Sequence, residues 1–499
     1  MRGTKPIFYR ALMLTGVNLL LRAVGTSFHV YLSRLIGAAG IGLLQLVMSV
    51  GNLAMVAGIG GIRTATMYLT AEELGKNRPQ NVSRMLSACF LYSILCSCAV
   101  AAILYFGAPM LAGSWIGNRQ TIPALKIFAA FLPAICLSGV MSGYFTAANR
   151  IGTLALVEVA EQLCSMVITM LALLFWAGQD AERSCISVVL GSSVSACLTL
   201  VLLVWLRLRE HPKRSASFPV RQRLLQAALP LAGADVVRSG ITTAENLLVP
   251  KRLALCSQVP DALSAFGRIS GMVFPVMMFP ACILFALAEL LIPELARCRA
   301  AGQEKRIQYL VRRGLWAAML YGVFFSGLLF LFARPLCSFL YRNNDAGESL
   351  RCYALMVPFL YCDAITDAMT KGLGQQKICV RYNILTSAMD VALLFLLLPV
   401  FGMKGYYFSF LITHLLNFVL SLRRLCVITG CRIPFSVPAL TASAGLLAAW
   451  IGTRIPWLFV PVFFLLLRIL GVLGAEEIRW LRQLVFRPRA KGRLTREAG

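Results

Sequence analysis

The sequence predicts an all-α polytopic membrane protein of about fourteen transmembrane helices, arranged as two six-helix lobes plus two C-terminal helices. Three observations carry this reading. Hydrophobic residues fill 59% of the 499 positions against 14% charged, and mean hydropathy is +0.75, outside the range of soluble globular chains. Apolar runs of about 20 residues, enough to cross a hydrocarbon core of about 30 Å, recur along the whole chain. Basic residues crowd alternate interhelix loops, as the positive-inside rule requires of a multi-pass chain.

Taken in order, the first span covers residues 9–33; no A-x-A-like cleavage site follows it, so it is expected to be retained. Arg34 and the glycine-rich "GAAGIG" close it and turn the chain into a second span, 41–69. Spans at 85–111, 122–147, 152–177 and 184–206 complete a first lobe, residues 1–206. The segment 207–223, "RLREHPKRSASFPVRQR", is too charged to enter a bilayer and reads as a cytoplasmic linker. Spans at 224–249, 263–292, 314–333, 352–371, 380–401 and 405–425 form a second lobe, residues 224–425. Within 263–292, "GMVFPVMMFPACILF" predicts a kink, because each proline removes a backbone donor and crowds the preceding turn. Two further spans, 434–453 and 456–474, occupy residues 426–474, and a basic tail follows at 475–499. The linker, "RCRAAGQEKRIQYLVRR" and this tail hold most of the basic bias, which places both termini in the cytoplasm.

The two lobes repeat one another weakly at an offset of roughly 225 residues. "YLTAEELGKNR" resembles "LIPELARCR", setting Glu73 and Leu74 against Glu294 and Leu295. "LPAICLSGVMSGYFTAANRI" resembles "VPFLYCDAITDAMTKGLGQQKI", setting Pro133 against Pro358. A repeat of six helices keeps its orientation, and the cleft between two such lobes is the natural place for a substrate.

Several function classes are excluded. The chain has neither an H-E-x-x-H helix nor a phosphate-cradling G-x-x-x-x-G-K-[ST] loop, and no soluble stretch could house a catalytic domain; the longest loop opposite the basic ones, "ARPLCSFLYRNNDAGESLR", is short. The chain is expected to be a transporter and not an enzyme, without cofactor or metal. Its sixteen cysteines lie mostly singly in apolar segments and read as small buried hydrophobes. The net charge of +27 is explained by topology and by anionic lipid headgroups, so nucleic acid is not an expected partner.

An ionisable side chain at bilayer depth costs at least a few kcal/mol unless it faces protein or a watery cavity. By that rule Arg22, Arg63, Arg238, Arg268 and Arg468 are candidates, with Arg34 about 18 Å along the helix from Arg22. Arg34 can also snorkel to the interface. Among the acids at this depth, Glu158 and Glu161 share a face at i, i+3, Asp363 and Asp367 at i, i+4, and Asp235 can pair with Arg238; Glu245, Glu289 and Asp390 lie singly. These acids either neutralise the arginines or couple a cation or proton gradient to transport; Glu158, Glu161, Asp235, Glu245, Asp363 and Asp367 are the coupling candidates. His29 and His414 read as packing residues.

"LLLRAVGTSFHVYLSRLIGAAGIGLLQLVMSV" resembles the opening of the multidrug, oligosaccharidyl-lipid and polysaccharide flippase superfamily, and "VEVAEQL", residues 157–163, looks like a fifth-helix signature of the branch containing stage V sporulation protein B. "GMVFPVMMFPACILFALAELLIPELA" is similar to that branch's eighth helix. The resemblance spans the full chain and implies a MATE-like fold. It further implies flipping of an undecaprenyl-pyrophosphate-linked sugar, a peptidoglycan precursor or polysaccharide unit, with spore cortex synthesis as one setting. In the related lipid II flippases arginines of the first and eighth helices meet the pyrophosphate; Arg22 and Arg34 match the first-helix positions, Arg268 falls in the eighth-helix neighbourhood, and Phe28 stands where a further cavity arginine would be. Arg63 has no counterpart. Guanidinium, always charged and planar, matches phosphate oxygens bidentately, so a cleft of arginines favours an anionic, lipid-linked cargo. The alternatives are a cation-coupled multidrug or metabolite exporter of the same fold and a non-transporting scaffold for wall-synthesis enzymes.

Overall fold

Backbone amides inside a bilayer have no water to bond, so a chain this apolar must close its hydrogen bonds within helices. The computed structural model describes residues 4–75, 79–148, 150–177, 180–209, 220–257, 259–431 and 436–474, and among them there is no strand. Most of the expected linker and the whole of the expected tail, 475–499, lie outside the described residues.

The first helix, α1 (Thr4–Ile59), is about 84 Å long at 1.5 Å per residue, too long for one crossing. Gly37 (φ 69°, ψ −178°) folds it into two passes at the expected glycine corner, in a backbone region that favours glycine. α2 (Ile62–Gly75) continues the second pass beyond a break at Gly60 and Gly61. The helices α3 (Pro79–Met110), α4 (Ile122–Ala147), α5 (Ile151–Ala172) and α6 (Ala181–Leu208) complete the first lobe, with α4 packed on α3 and α6, and α5 on α6.

The second lobe opens with α7 (Val220–Leu253). The expected kink then appears as three pieces, α8 (Ala262–Arg268), α9 (Phe274–Met278) and α10 (Ala281–Ala300), the last bent by 61° from the first two. α11 (Glu304–Tyr341), α12 (Asn344–Ala354), α13 (Val357–Gly372), α14 (Gln376–Phe401) and α15 (Met403–Thr429) follow, and α16 (Ser436–Gly452) and α17 (Phe459–Ile469) pack against α11. Gly327 and Gly445 give room for Phe459 and Val323 at that seam.

All fourteen expected spans fall on helical backbone. Among the described residues eight helices are long and apolar enough to cross a membrane, and the bent α8–α10 pair supplies a ninth. α7 is not one of them, because Asp235, Arg238, Glu245 and Asn246 all lie along it. Large apolar side chains such as Phe106, Phe175, Trp450 and Trp457 point outward, as a lipid-facing surface requires.

Two expectations change. α11 extends well beyond 314–333 at both ends, since hydropathy registers only the apolar stretch while the helix carries on into the headgroup zone. The loop expected at 333–351 is accordingly almost all helix: α11 runs to Tyr341, Arg342 adopts a left-handed turn (φ 54°), and the Asn343 side chain caps α12 by accepting from the Ala346 amide at 3.0 Å. The span expected at 352–371 is also broken before Val357, because Pro358 in the first turn of α13 lacks the amide that would bond back.

The lobes meet where α1 packs on α7 and α8. A Cβ on Gly267 of α8 would lie 1.9 Å from the Ala38 carbonyl oxygen and 2.7 Å from the Gly42 amide nitrogen, so the two backbones touch there. This seal lies near Gly37, at the end of the molecule opposite the basic loops.

Candidate functional site: an interlobe cleft with a polar file behind it

The second pass of α1 stays polar on the face that meets α7. Thr243 Oγ1 donates to the Ser49 carbonyl at 3.1 Å, and Asn246 Nδ2 donates to Ser49 Oγ at 2.9 Å. These bonds form one wall of a cavity of about 480 Å³ between the lobes, lined among others by Asn52, Arg63, Asp235, Arg238 and Thr242. The Gly60–Gly61 break lets α2 start with Arg63 directed into this space. The cavity thus holds two guanidinium groups, one from each lobe, and one carboxylate. Glu158 of α5 is within electrostatic reach of Arg63, while Glu161 sits beside it and accepts from Thr199 of α6.

Arg22 lies on the other seam. Its guanidinium is 5.0 Å from the Phe285 ring and 4.0 Å from Cys282 Sγ, both on α10, and it remains exposed. Beginning at the next residue, an apolar cavity of about 640 Å³ runs between α1, α9 and α11, lined by Ala23, Val30, Tyr31, Phe279, Phe325 and Phe332 and reaching Arg34. Arg34 itself donates to the carbonyls of Phe339 and Leu340 at the end of α11. Arg268 donates to Asp345 at 2.6 Å. The five candidate arginines are therefore not one cluster: Arg63 and Arg238 share the polar cavity, Arg22 stands alone on the α1–α10 seam, and Arg34 and Arg268 are bound to protein at the end opposite the basic loops.

The coupling candidates divide in the same way. Asp235 is in the polar cavity, and Glu158 and Glu161 are in the first lobe. Glu245 of α7 lies within hydrogen-bond reach of Asp390 of α14, which accepts from Ser409 Oγ at 2.5 Å and Thr413 Oγ1 at 3.2 Å. Asp363 of α13 accepts from Asn417 Nδ2 at 3.0 Å, and Asp367 pairs with Lys371 at 2.5 Å. Sequence reasoning placed Asp390 at membrane depth without a role and passed over Ser409, Thr413 and Asn417. The signal was present as buried polar residues recurring every fourth position along an apolar helix. Lys251, which donates to the Ser114 carbonyl across the lobes, had no such signal.

Comparisons with known proteins follow the two lobes. Residues 9–246 match the polysaccharide biosynthesis protein family, and residues 255–396 match the MatE family. Stage V sporulation protein B of Bacillus subtilis (strain 168) is 21% identical over 406 residues, 79% of this chain and 78% of that one. Probable multidrug resistance protein NorM of Rhizobium meliloti (strain 1021) is 24% identical over 197 residues, 38% of this chain and 39% of its own length. Among solved structures, lipid II flippase MurJ in an inward closed conformation superposes with a TM-score of 0.72 at 14% identity, covering 95% of this chain and 100% of that one. An inward-facing multidrug resistance MATE family transporter does so with a TM-score of 0.67 at 13% identity, covering 85% and 98%. With a family match on each lobe and a helical plan shared over almost its whole length, the chain belongs to the multidrug, oligosaccharidyl-lipid and polysaccharide flippase superfamily, and it is a membrane transporter.

Proposed function

We propose that the chain is a flippase that carries an undecaprenyl-pyrophosphate-linked sugar intermediate across the cytoplasmic membrane by alternating access. The observation that carries this reading is the pairing of Arg63 and Arg238 from opposite lobes in one polar cavity. Two planar, permanently charged forks match a pyrophosphate and would repel a cationic drug. The apolar cavity that starts beside Arg22 suits a prenyl chain lying between the lobes while the head occupies the cleft. Arg22 would meet the phosphate where head and tail join; Arg34 and Arg268 would reach it only after the lobes rearrange. The printed names of the relatives, a lipid II flippase and a sporulation protein, support a peptidoglycan-type cargo and a spore-cortex setting. Cell-wall synthesis enzymes are the expected partners, and both termini are assigned to the cytoplasm.

Coupling is assigned to the acidic groups. Glu245 and Asp390 lie too close for two bare carboxylates, so a proton or a cation between them stabilises the pair. Glu158, Glu161 and Asp235 surround the arginines and would compete with the cargo for them.

The test is reconstitution with a fluorescently labelled undecaprenyl-pyrophosphate sugar. The wild type should move it faster than empty vesicles, and Arg63→Ala and Arg238→Ala should each slow it roughly tenfold or more, the value of one lost charge-assisted bond of about 1.5–3 kcal/mol. A wild type that leaves the lipid in place while exporting a cationic dye would overturn the reading.

A further inference from the structure

α15 carries a buried polar stripe. Ser409, Thr413, Asn417 and Ser421 recur every fourth residue, all buried, over about 18 Å of helix. A polar stripe in a membrane helix is costly unless each group is satisfied. The first two members serve Asp390, as described. The third does something different: Asn417 Nδ2 donates to both Asp363 oxygens at 3.0 Å, while its Oδ1 is buried without a partner, in a side chain only 7% exposed. A carboxylate and an unused amide oxygen thus face one another's surroundings with an acceptor to spare, and an orphaned buried acceptor costs about 1–3 kcal/mol. One turn further along α13, Asp367 pairs with Lys371, both partly exposed near the end that carries the basic loops. Four steps therefore line up inside the second lobe: Glu245 with Asp390, Thr413, Asp363 with Asn417, and Asp367.

We propose that Asp363 and Asn417 form a station for a small monovalent cation, sodium or hydronium, on a path inside the second lobe from the Glu245–Asp390 pair to the end carrying the basic loops. The ion would then reach its coupling site without entering the interlobe cleft, leaving the cleft to the cargo. Oxygen-only donors, one of them charged, suit a hard monovalent ion and offer nothing to a soft metal. The charged or titratable groups facing the station are Asp367 and Lys371 from α13, Cys379 and Asp390 from α14, His414 from α15 and Glu245 from α7.

The inference rests on the proposed coupling role only for its use, and its existence is measured without lipid cargo. Thermal melting of the purified full chain in detergent is followed in NaCl against choline chloride at constant ionic strength, and separately across a pH series in choline chloride. The wild type should be stabilised in one of the two arms, sodium or acid. Asn417→Leu should weaken that response at least tenfold in half-saturating concentration, and Asn417→Asp, which keeps an oxygen there, should retain it. Asp363→Asn provides the same readout should Asn417→Leu not fold. A wild type indifferent in both arms, or an Asn417→Leu response equal to wild type, overturns the station. Because no cargo is present, a failed flipping assay leaves this result standing, and the reverse also holds.

Discussion

A guanidinium in a membrane helix is informative according to what already holds it. Arg34 is held by two carbonyls and Arg268 by a carboxylate, so removing either changes helix contacts before it changes anything else. Arg22 is held by an aromatic face and a thiol, contacts of about 0.5–1 kcal/mol at an exposed site. Its loss should therefore barely touch stability. We expect Arg22→Ala to melt within about 1 kcal/mol of the wild type yet to slow lipid translocation about tenfold, with Arg22→Lys between them because it keeps the charge and loses the fork. Melting curves and flipping rates on the same preparations check this. An Arg22→Ala variant that flips at the wild-type rate would remove Arg22 from the cargo path, even with the function right.

At the scale of elements, the seal between α1 and α8 depends on a missing side chain. Gly267→Ala places a methyl where the Ala38 carbonyl already is, and overpacking of this kind costs about 1–3 kcal/mol. The variant should melt lower in detergent, while Gly240→Ala in α7, with open space around it, should be neutral or slightly stabilising. Equal melting of the two variants would mean that the seal yields freely. Elements of this kind were only partly legible in the sequence. Hydropathy marks where helices cross, so the spans, the Gly37 corner and the kink among the prolines of 263–292 could all be read. It does not mark which faces meet, so neither the Gly267 contact nor the separation of Arg34 and Arg268 from Arg63 and Arg238 could be. The broken α12–α13 span escaped because a proline in a first turn is compatible with a helix start and with a break alike. The Asn417 station escaped because polar residues at fourth positions were weighed one at a time, while the acids, being charged, were examined as pairs.

For the whole molecule, alternating access requires the contacts at one end to be weak enough to break. That end is held by the α1–α8 seal and by two cations reaching across the lobes: Arg34 of the first lobe on the α11 carbonyls, and Lys251 of the second lobe on the Ser114 carbonyl. Cation-to-carbonyl bonds suit a gate, since each cation can exchange a carbonyl for water when the lobes part and no buried charge is left behind. Lys251 is exposed, so its bond is worth less than a buried charge-assisted bond, about 1 kcal/mol. If two lobe arrangements are in equilibrium, losing that bond favours the arrangement open at this end about fivefold. We expect Lys251→Met to enlarge the long-distance fraction between spin labels placed across this end by about that factor, with Lys251→Arg holding close to wild type. Melting should change little, because the rest of the interlobe surface is untouched. Distance distributions that do not move in Lys251→Met would show that the α1–α8 seal alone holds this end, and the gate would then be a matter of backbone packing and not of charge.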